Sequence, residues 1–313
     1  MIIAAVLIVV GLVICFAAAA AGHFDPEVLS NKKYETNTYE VNEAFIDITV
    51  EGIAEKISFK PSDDGKCRVV CLEEEKMKHD VSVKDDMLKV RCVDERDGRG
   101  RFSIGTKTPE ITVYLPERDY RDLRVSSETG DIEVPSDFSF EAIVIKAHTA
   151  DVKCFAGAKD GVGIEVTTGD ITLSDIRTGT IMLHATTGRI SVRSTVAERE
   201  TLIRVTTGKV DLKDLNCLSL TSTGSTGDIT MENVIASDNI WIKRDTGDVK
   251  FTGCDAPKIY VETDTGDVTG TLLSRKLFIT ETDTGKVEVP NTQSGGLCEI
   301  HTDTGRIKIR IAE

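Results

Sequence analysis

The sequence predicts an all-β protein whose main part is a single-stranded, right-handed parallel β-solenoid. Three observations carry this prediction: a segment resembling Thr-Gly-Asp-Ile recurs ten times, the copies are 19 or 20 residues apart, and apolar residues alternate on both sides of each copy. The anchor positions are Gly130, Ala150, Gly169, Gly188, Gly208, Gly227, Gly247, Gly266, Gly285 and Gly305. A short, nearly fixed period is typical of repeat proteins, in which each unit stacks on its neighbours.

Each repeat is predicted to contain two short strands joined at its anchor. Around Gly188 the apolar residues at offsets −7, −5, −3, +2 and +4 are Ile181, Leu183, Ala185, Ile190 and Val192. A spacing of two places these side chains on one face of a strand. Glycine between the strands suits a tight turn with positive φ. A further apolar residue near offset +7 or +8 predicts a third short wall.

A unit of 19 or 20 residues buries too few side chains to fold alone. Ladder hydrogen bonds to neighbouring units must therefore supply part of its stability. About ten coils at a spacing of about 4.8 Å predict a rod about 48 Å long. We expect the anchor glycines to form one column and expect no substantial helix beyond residue 25.

The chain before the repeats divides into three parts. Residues 1–22 are uncharged, apolar and long enough to span a bilayer, which predicts a transmembrane anchor or a cleaved signal segment. Residues 23–40 are polar and indicate a linker. Residues 41–125 alternate as strands without the sharp repeat, so they predict an N-terminal β cap, with the solenoid at 126–313.

Local patterns refine the two ends of the predicted rod. In the cap, Lys84-Asp85-Asp86 separates two alternating apolar segments and predicts a hairpin. At the other end, Ile307, Ile309 and Ile311 are expected to complete the terminal strand. The outward charges of Lys308 and Arg310 would then discourage pairing at that edge.

Composition and motifs exclude several functions. The net charge of −14 argues against nucleic acid as a partner. The five histidines form no column in the repeats, and hydrolase and phosphate-loop motifs are absent, so we predict a non-enzymatic protein. A carbohydrate-active β-helix enzyme is the less favoured alternative. The eight cysteines do not form a disulfide framework, although Cys67, Cys71 and Cys92 leave one disulfide open.

Aspartates beside the turns offer the one candidate cofactor site. Offset −2 is aspartate in the last four repeats, and offset +1 is aspartate in several. The candidate ligands are Asp245, Asp248, Asp264, Asp267, Asp283 and Asp303. Stacked carboxylates suit Ca²⁺. Aspartate is also common in turns for structural reasons. Basic residues at offset +1 in other repeats would neutralise the stacked carboxylates without a metal.

An outward apolar row at offset −6 is the candidate binding surface. Its members include Trp241, Tyr260 and Ile279, which the period places on three successive coils. Because Ile240 and Ile242 are assigned to the core, Trp241 is expected to point away from it. An apolar row on the surface of a rod suggests that it contacts a glycan, a partner protein or a second copy of the chain. Cover by a neighbouring segment is the alternative.

The chain resembles a bacterial putative-adhesin family of β-strand-repeat proteins. The resemblance covers about residues 36–313 and is carried by the ten repeats with Tyr34–Val41, Pro61–Lys66 and Ile111–Pro116. It implies a β-solenoid presented outside the cytoplasm and attached to the cell membrane by a single pass. The chain departs from the family in lacking a basic stretch before residues 1–22. We therefore expect an envelope-attached binding or structural protein, with envelope-stress sensing or signalling as the alternative.

Overall fold

The computed structural model describes residues 33–75, 77–94 and 108–312, and these ranges contain strands and no helix. The all-β prediction and the parallel β-solenoid are confirmed. The predicted membrane segment at 1–22 lies outside the described residues. None of the described ranges contains a helix of the length and hydropathy needed to cross a membrane.

The described ranges contain 26 strands. In chain order they are β1 (Tyr34–Val41), β2 (Asp47–Gly52), β3 (Lys56–Pro61), β4 (Cys67–Glu74), β5 (Met77–Lys84), β6 (Met87–Asp94), β7 (Glu110–Leu115), β8 (Tyr120–Thr129), β9 (Ile132–Val134), β10 (Ser139–Thr149), β11 (Val152–Cys154), β12 (Gly157–Thr168), β13 (Ile171–Ser174), β14 (Arg177–Thr178), β15 (Thr180–Thr187), β16 (Ile190–Ala197), β17 (Glu200–Thr207), β18 (Val210–Thr226), β19 (Ile229–Thr246), β20 (Val249–Cys254), β21 (Lys258–Thr265), β22 (Val268–Leu272), β23 (Lys276–Thr284), β24 (Val287–Glu288), β25 (Gly296–Thr304) and β26 (Ile307–Ile311).

Two long ladders of parallel strands form the main walls of the rod. The wall before the anchors stacks β6, β2, β8, β10, β12, β15, β17, β18, β19, β21, β25 and β23 in that order. The wall after the anchors runs from β7 and β3 through β9 to β26 and β24. The solenoid has about nine turns, slightly fewer than the ten coils predicted.

The cap region is part solenoid and part antiparallel sheet. Strands β2, β3, β6 and β7 join the parallel walls, so the stack begins well before residue 126. Strand β4 pairs antiparallel with β1 and β7, and β5 pairs antiparallel with β6. The β5–β6 hairpin is confirmed, and Asp85 and Asp86 both have positive φ at its turn, as a two-residue hairpin loop requires.

The coils are not stacked in sequence order at either end. The β2–β3 coil lies between the β6–β7 and β8–β9 coils. The β25–β26 coil lies between the β21–β22 and β23–β24 coils. The predicted strand at Ile307, Ile309 and Ile311 is confirmed as β26, but its predicted position at the edge of the stack is wrong. Insertion between two coils buries Ile307 and Ile309 on both sides, and Val287 of β24 is 43% exposed at the edge instead.

The anchor glycines form the predicted column. A Cβ atom on Gly188 would lie 2.0 Å from the carbonyl oxygen of Gly169, and one on Gly208 would lie 1.8 Å from that of Gly188. Every anchor N–H except that of Gly285 also donates to the threonine carbonyl of the next coil, as from Gly169 to Thr187 at 3.0 Å. Glycine is therefore required by close approach of the backbone as well as by its φ, which is +145° at Gly188.

A second column of left-handed residues follows six positions after the anchors. Asp175, Ser194, Asp214, Asn233 and Gly253 all have positive φ there. Aspartate, asparagine and glycine tolerate this conformation better than other residues do. The Asn233 amide donates to the Asp214 carboxylate on the preceding coil at 2.9 Å, so the column is also joined by hydrogen bonds.

The core between the walls is a continuous column of buried apolar side chains that contains one arginine. Arg244 is fully buried, and its side chain reaches over Gly224 to donate to Ser222 Oγ at 3.2 Å and to the Val205 carbonyl at 3.4 Å. Burial lowers the pKa of Arg244 to about 10. Gly224 leaves the space that the guanidinium fills.

The cysteines of the described residues form no disulfide with one another. The disulfide left open among Cys67, Cys71 and Cys92 is therefore absent from this structure. The repeat cysteines Cys154, Cys217, Cys254 and Cys298 are buried. Burial raises the pKa of the Cys154 thiol to about 12, which leaves it a neutral, apolar filler of the core.

Candidate functional site

The candidate site is the outward row, the residues at offset −6 that stand side by side across the wall before the anchors. Strand register places them in the order Val144, Gly163, Met182, Leu202, Thr221, Trp241, Tyr260, Glu299 and Ile279. Ile240 and Ile242 are fully buried on the other face, so Trp241 points away from the core as predicted.

The predicted run of Trp241, Tyr260 and Ile279 on three successive coils is wrong in its last member. Tyr260 pairs with Glu299, and Ile279 lies one coil further on. The cause is the insertion of the β25–β26 coil ahead of the β23–β24 coil. Ile279 is 52% exposed on the terminal strand and is separated from the two aromatic side chains by a carboxylate.

The first half of the outward row forms a groove with a volume of about 490 Å³. Val144, Gly163, Met182 and Leu202 line it. Met182 is 54% exposed and Val144 is 39% exposed, whereas Gly163 has no side chain and deepens the groove between them. An apolar groove open to solvent on an otherwise charged rod is a candidate binding site.

The second half of the row begins with a stacked aromatic pair. The rings of Trp241 and Tyr260 are 5.7 Å apart between centroids and 8° from parallel. The Tyr260 phenol donates to Glu262 Oε2 at 2.7 Å, and this hydrogen bond, with burial, raises the pKa of Tyr260 to about 12. One face of each ring is therefore covered by the other ring.

A charged row at offset −4 borders the groove along one side. Lys146 and His184 lie 3.7 and 3.8 Å from the Glu165 carboxylate on the coil between them. Arg204 continues this row beside Leu202. The groove therefore combines an apolar floor with a rim that carries both signs of charge.

The aspartates at offset +1 form a hydrogen-bonded column along the turn. Asp248 Oδ1 accepts the backbone N–H of Asp267 at 2.8 Å, and Asp267 Oδ1 accepts that of Arg306 at 2.7 Å. The Arg306 guanidinium also lies 3.0 Å from Asp267 Oδ2. Further along the column, a Lys209 hydrogen bond lowers the pKa of Asp228. These contacts support the turn alternative for Asp248 and Asp267.

The structure does not gather the candidate calcium ligands into a close group. Within residues 33–75, 77–94 and 108–312, no three potential ligand atoms that lie within 4.8 Å of one another include any of these aspartates. The set comprises Asp245, Asp248, Asp264, Asp267, Asp283 and Asp303. Calcium binding at these positions stays a prediction.

Comparison with known proteins identifies the family. The model of the family described as Toastrack DUF4097 matches residues 45–233 and 199–313. This chain belongs to the Toastrack DUF4097 family. The match confirms the family resemblance inferred from the repeats. A search of the curated proteins found no match to the chain.

Three crystal structures of bacterial proteins are similar to this Toastrack chain. A putative adhesin from Parabacteroides distasonis is 13% identical, with a TM-score of 0.49 over 89% of this chain and 98% of that one. A putative adhesin from Parabacteroides merdae is 11% identical, with a TM-score of 0.47 over 90% and 98%. A putative adhesin from Bacteroides fragilis is 14% identical, with a TM-score of 0.42 over 90% and 99%.

Sequence reasoning missed a cluster of buried polar residues in the cap of this Toastrack chain. Glu55, Glu73 and His79 are buried together there. The cap lacks the fixed period that aligns the repeats, so the sequence does not show that these residues meet. The available signal was the alternation in Met77-Lys78-His79, which places His79 on the same strand face as the apolar Met77.

Proposed function

We propose that this protein is a non-enzymatic binding module that uses its outward row to hold an extended apolar segment of a partner protein. The observation that carries the proposal is the groove of about 490 Å³ over Val144, Gly163, Met182 and Leu202. The apolar sequence of residues 1–22 and the family resemblance support presentation of the rod at the cell envelope, outside the cytoplasm.

The dimensions of the groove favour a peptide over a folded surface. From Val144 to Thr221 the row crosses five strands, and four steps of about 4.8 Å give a length of about 19 Å. An extended peptide rises about 3.3 Å per residue, so about six residues span this length. A stable interface between two folded surfaces needs about 1,200 Å² or more, which a row one side chain wide does not offer.

The chemistry of the row also favours a peptide over a glycan. Sugars stack on exposed aromatic faces and need hydrogen-bonding groups beside them. Here Trp241 and Tyr260 each cover one ring face of the other, and the phenol of Tyr260 is already hydrogen-bonded to Glu262. The groove floor offers apolar contacts with Met182 and Leu202, which suit aliphatic side chains of an extended segment.

The first experiment selects ligands from a displayed library of random peptides on the purified full-length chain, then measures the affinity of one selected synthetic peptide. Met182→Glu should weaken binding at least tenfold, because losing one buried apolar contact costs about 1.5–3 kcal/mol and about 1.4 kcal/mol corresponds to tenfold. Leu218→Glu is the matched control, because Leu218 is 48% exposed, similar to Met182, but lies outside the row.

Several results would contradict the proposal. Equal weakening by Met182→Glu and Leu218→Glu would show that the peptide does not use the groove. If the chain binds to an array of glycans and no peptide is selected, the ligand is a sugar and not a peptide. Self-association that Met182→Glu abolishes would identify a second copy of the chain as the occupant.

A further inference from the structure

A buried polar cluster lies where the cap meets the first coil. Glu55 is in the connection between β2 and β3, Glu73 is on β4 and His79 is on β5. The side chains of Glu73 and His79 are fully buried, and that of Glu55 is 2% exposed. Two carboxylates in such a position are costly unless each is fully hydrogen-bonded or bound to a cation.

Glu73 fixes the orientation of the His79 ring. Its Oε2 lies 2.6 Å from His79 Nδ1 and accepts the backbone N–H of His79 at 2.9 Å. Its Oε1 accepts the Tyr39 hydroxyl at 3.0 Å and the Asn37 amide at 2.5 Å. Because a carboxylate only accepts hydrogen bonds, Nδ1 carries a proton, and in the neutral ring Nε2 is the nitrogen left to bind a metal ion.

His79 Nε2 faces a second carboxylate and a thiol. Nε2 is buried, has no hydrogen-bond partner within the described residues, and lies 3.6 Å from Glu55 Oε1. The other Glu55 oxygen is held by the backbone N–H groups of Ile53 at 2.5 Å and Ala54 at 2.9 Å. Cys92 is opposite His79 on β6, and the ligand atoms of Glu55, His79 and Cys92 lie within 4.8 Å of one another.

We propose that Glu55 Oε1, His79 Nε2 and Cys92 Sγ bind one divalent transition metal ion, preferentially Zn²⁺. Zinc takes carboxylate oxygen, imidazole nitrogen and thiolate sulfur at about 2.0–2.3 Å in tetrahedral geometry, which places a nitrogen and an oxygen ligand about 3.3–3.5 Å apart. The separation of 3.6 Å between Nε2 and Oε1 is close to this range. This separation exceeds the usual hydrogen-bond distance of about 2.7–3.2 Å. A hydrogen bond between Nε2 and Oε1 therefore explains it less well than a bound ion does.

The surroundings supply what such a site requires. A histidine that binds zinc commonly donates its other ring N–H to a carboxylate, and Glu73 holds that position here. Metal binding requires the thiolate, so the Cys92 proton is released to solvent when the ion enters. Cys92 is half-buried, which leaves water as the fourth ligand on the solvent side.

The position of the site gives it a structural role. The Glu55 carbonyl oxygen would lie 2.3 Å from a Cβ on Gly130, so Glu55 occupies the place before Gly130 in the anchor column. His79 and Cys92 belong to the β5–β6 hairpin, which forms one end of the stack. A metal ion bound by all three residues fastens the hairpin to the column and closes this end of the rod. This role is independent of the outward row.

The experiment uses the purified full-length chain after treatment with a chelator, titrated with Zn²⁺ alone and with Co²⁺ alone. We expect one zinc ion per chain and a thiolate-to-cobalt absorption band. Cys92→Ser should remove the band, weaken zinc binding at least 100-fold and abolish the rise in Tm that zinc gives. Cys67→Ser is the matched control, because Cys67 is a buried thiol on β4 outside the ligand group, and it should retain the band.

A second variant tests the placement of His79 without removing a ligand. Glu73→Gln should keep one zinc ion per chain but weaken its binding about 10–100-fold, as loss of the carboxylate behind a histidine ligand does. Circular dichroism confirms that each variant is folded. A folded wild-type chain that takes up no zinc and shows a proton on His79 Nε2 by NMR would overturn the proposal, leaving a buried imidazolium. A cobalt band unchanged by Cys92→Ser would also overturn it.

Discussion

Replacing Gly227 by valine tests whether the anchor column is held by close backbone contact. Gly227 has a φ of +130°, and a Cβ there would lie 1.9 Å from the Gly208 carbonyl oxygen. Ordinary contact distances begin near 3.4 Å, so the two coils must separate locally. The hydrogen bonds at risk are Gly208 N to Thr226 O at 2.8 Å and Val210 N to Asp228 O at 3.0 Å.

The expected loss of stability is about 3–4 kcal/mol. Positive φ costs a residue with a Cβ about 1–2 kcal/mol, and more for a β-branched side chain. Loss of two inter-coil hydrogen bonds adds about 1 kcal/mol each. The control is Thr226→Ser, which keeps the hydroxyl and the backbone geometry and should lower the free energy of unfolding by less than about 1 kcal/mol.

Urea denaturation of Gly227→Val, Thr226→Ser and the wild-type chain measures both losses. A solenoid is stabilised by interfaces between neighbouring coils, so the valine variant should also show a broader or divided transition. Equal losses for the two variants would refute the assigned turn conformation. A valine variant as stable as the wild type would show that the coils are not in contact at the glycine.

Three further predictions address other parts of the rod. Gly224→Ala should lower the free energy of unfolding, measured by urea denaturation, by about 1–3 kcal/mol, because the new Cβ would lie 1.8 Å from Arg244 Nη1. Unchanged stability would contradict the buried position of Arg244. Tyrosinate absorbance should show the Tyr260 phenol ionising near pH 12, and its raised pKa should make stability fall as the pH rises from about 10 to 12. Glu262→Gln should return that pKa towards its ordinary value, and an unchanged titration would contradict the assigned hydrogen bond. Deletion of 296–313 should make β23 sensitive to proteolysis, because β23 pairs with β25, whereas continued protection would mean that the coils stack in sequence order.

The period of the sequence was sufficient to predict the stack. Alternation about Gly188 and a spacing of 19 or 20 residues correspond directly to parallel strands in register. The turn conformation also followed from the sequence, because few residues other than glycine tolerate both positive φ and close approach of a carbonyl group. These features depend on local geometry that every repeat shares.

The period could not predict the order of the last coils. The gaps from Gly266 to Gly285 and from Gly285 to Gly305 are 19 and 20 residues, the same as elsewhere. Spacing shows that two coils have the same shape but does not show which of them are neighbours. Threonines at inward positions, Thr280 and Thr282, were a sign that the β23–β24 coil is less buried than the others.

The outward row was only partly predictable for the same reason. Alternation established that Trp241 and Tyr260 face outward, and their neighbouring positions followed from the period. The depth of the groove depends on the absence of a side chain at Gly163 between two exposed apolar residues, which becomes apparent when strands are placed side by side. The place of Ile279 depended on the coil order and was therefore wrong.

Hydroxyl-radical footprinting of the full-length chain, with and without a selected peptide, tests the proposed binding surface most directly. The bound peptide should protect Val144, Met182 and Leu202 from oxidation, while Leu218, which is 48% exposed, should react equally in both samples. Protection of Leu218, or no protection along the row when the peptide is bound, would contradict the assignment of the groove as the binding site.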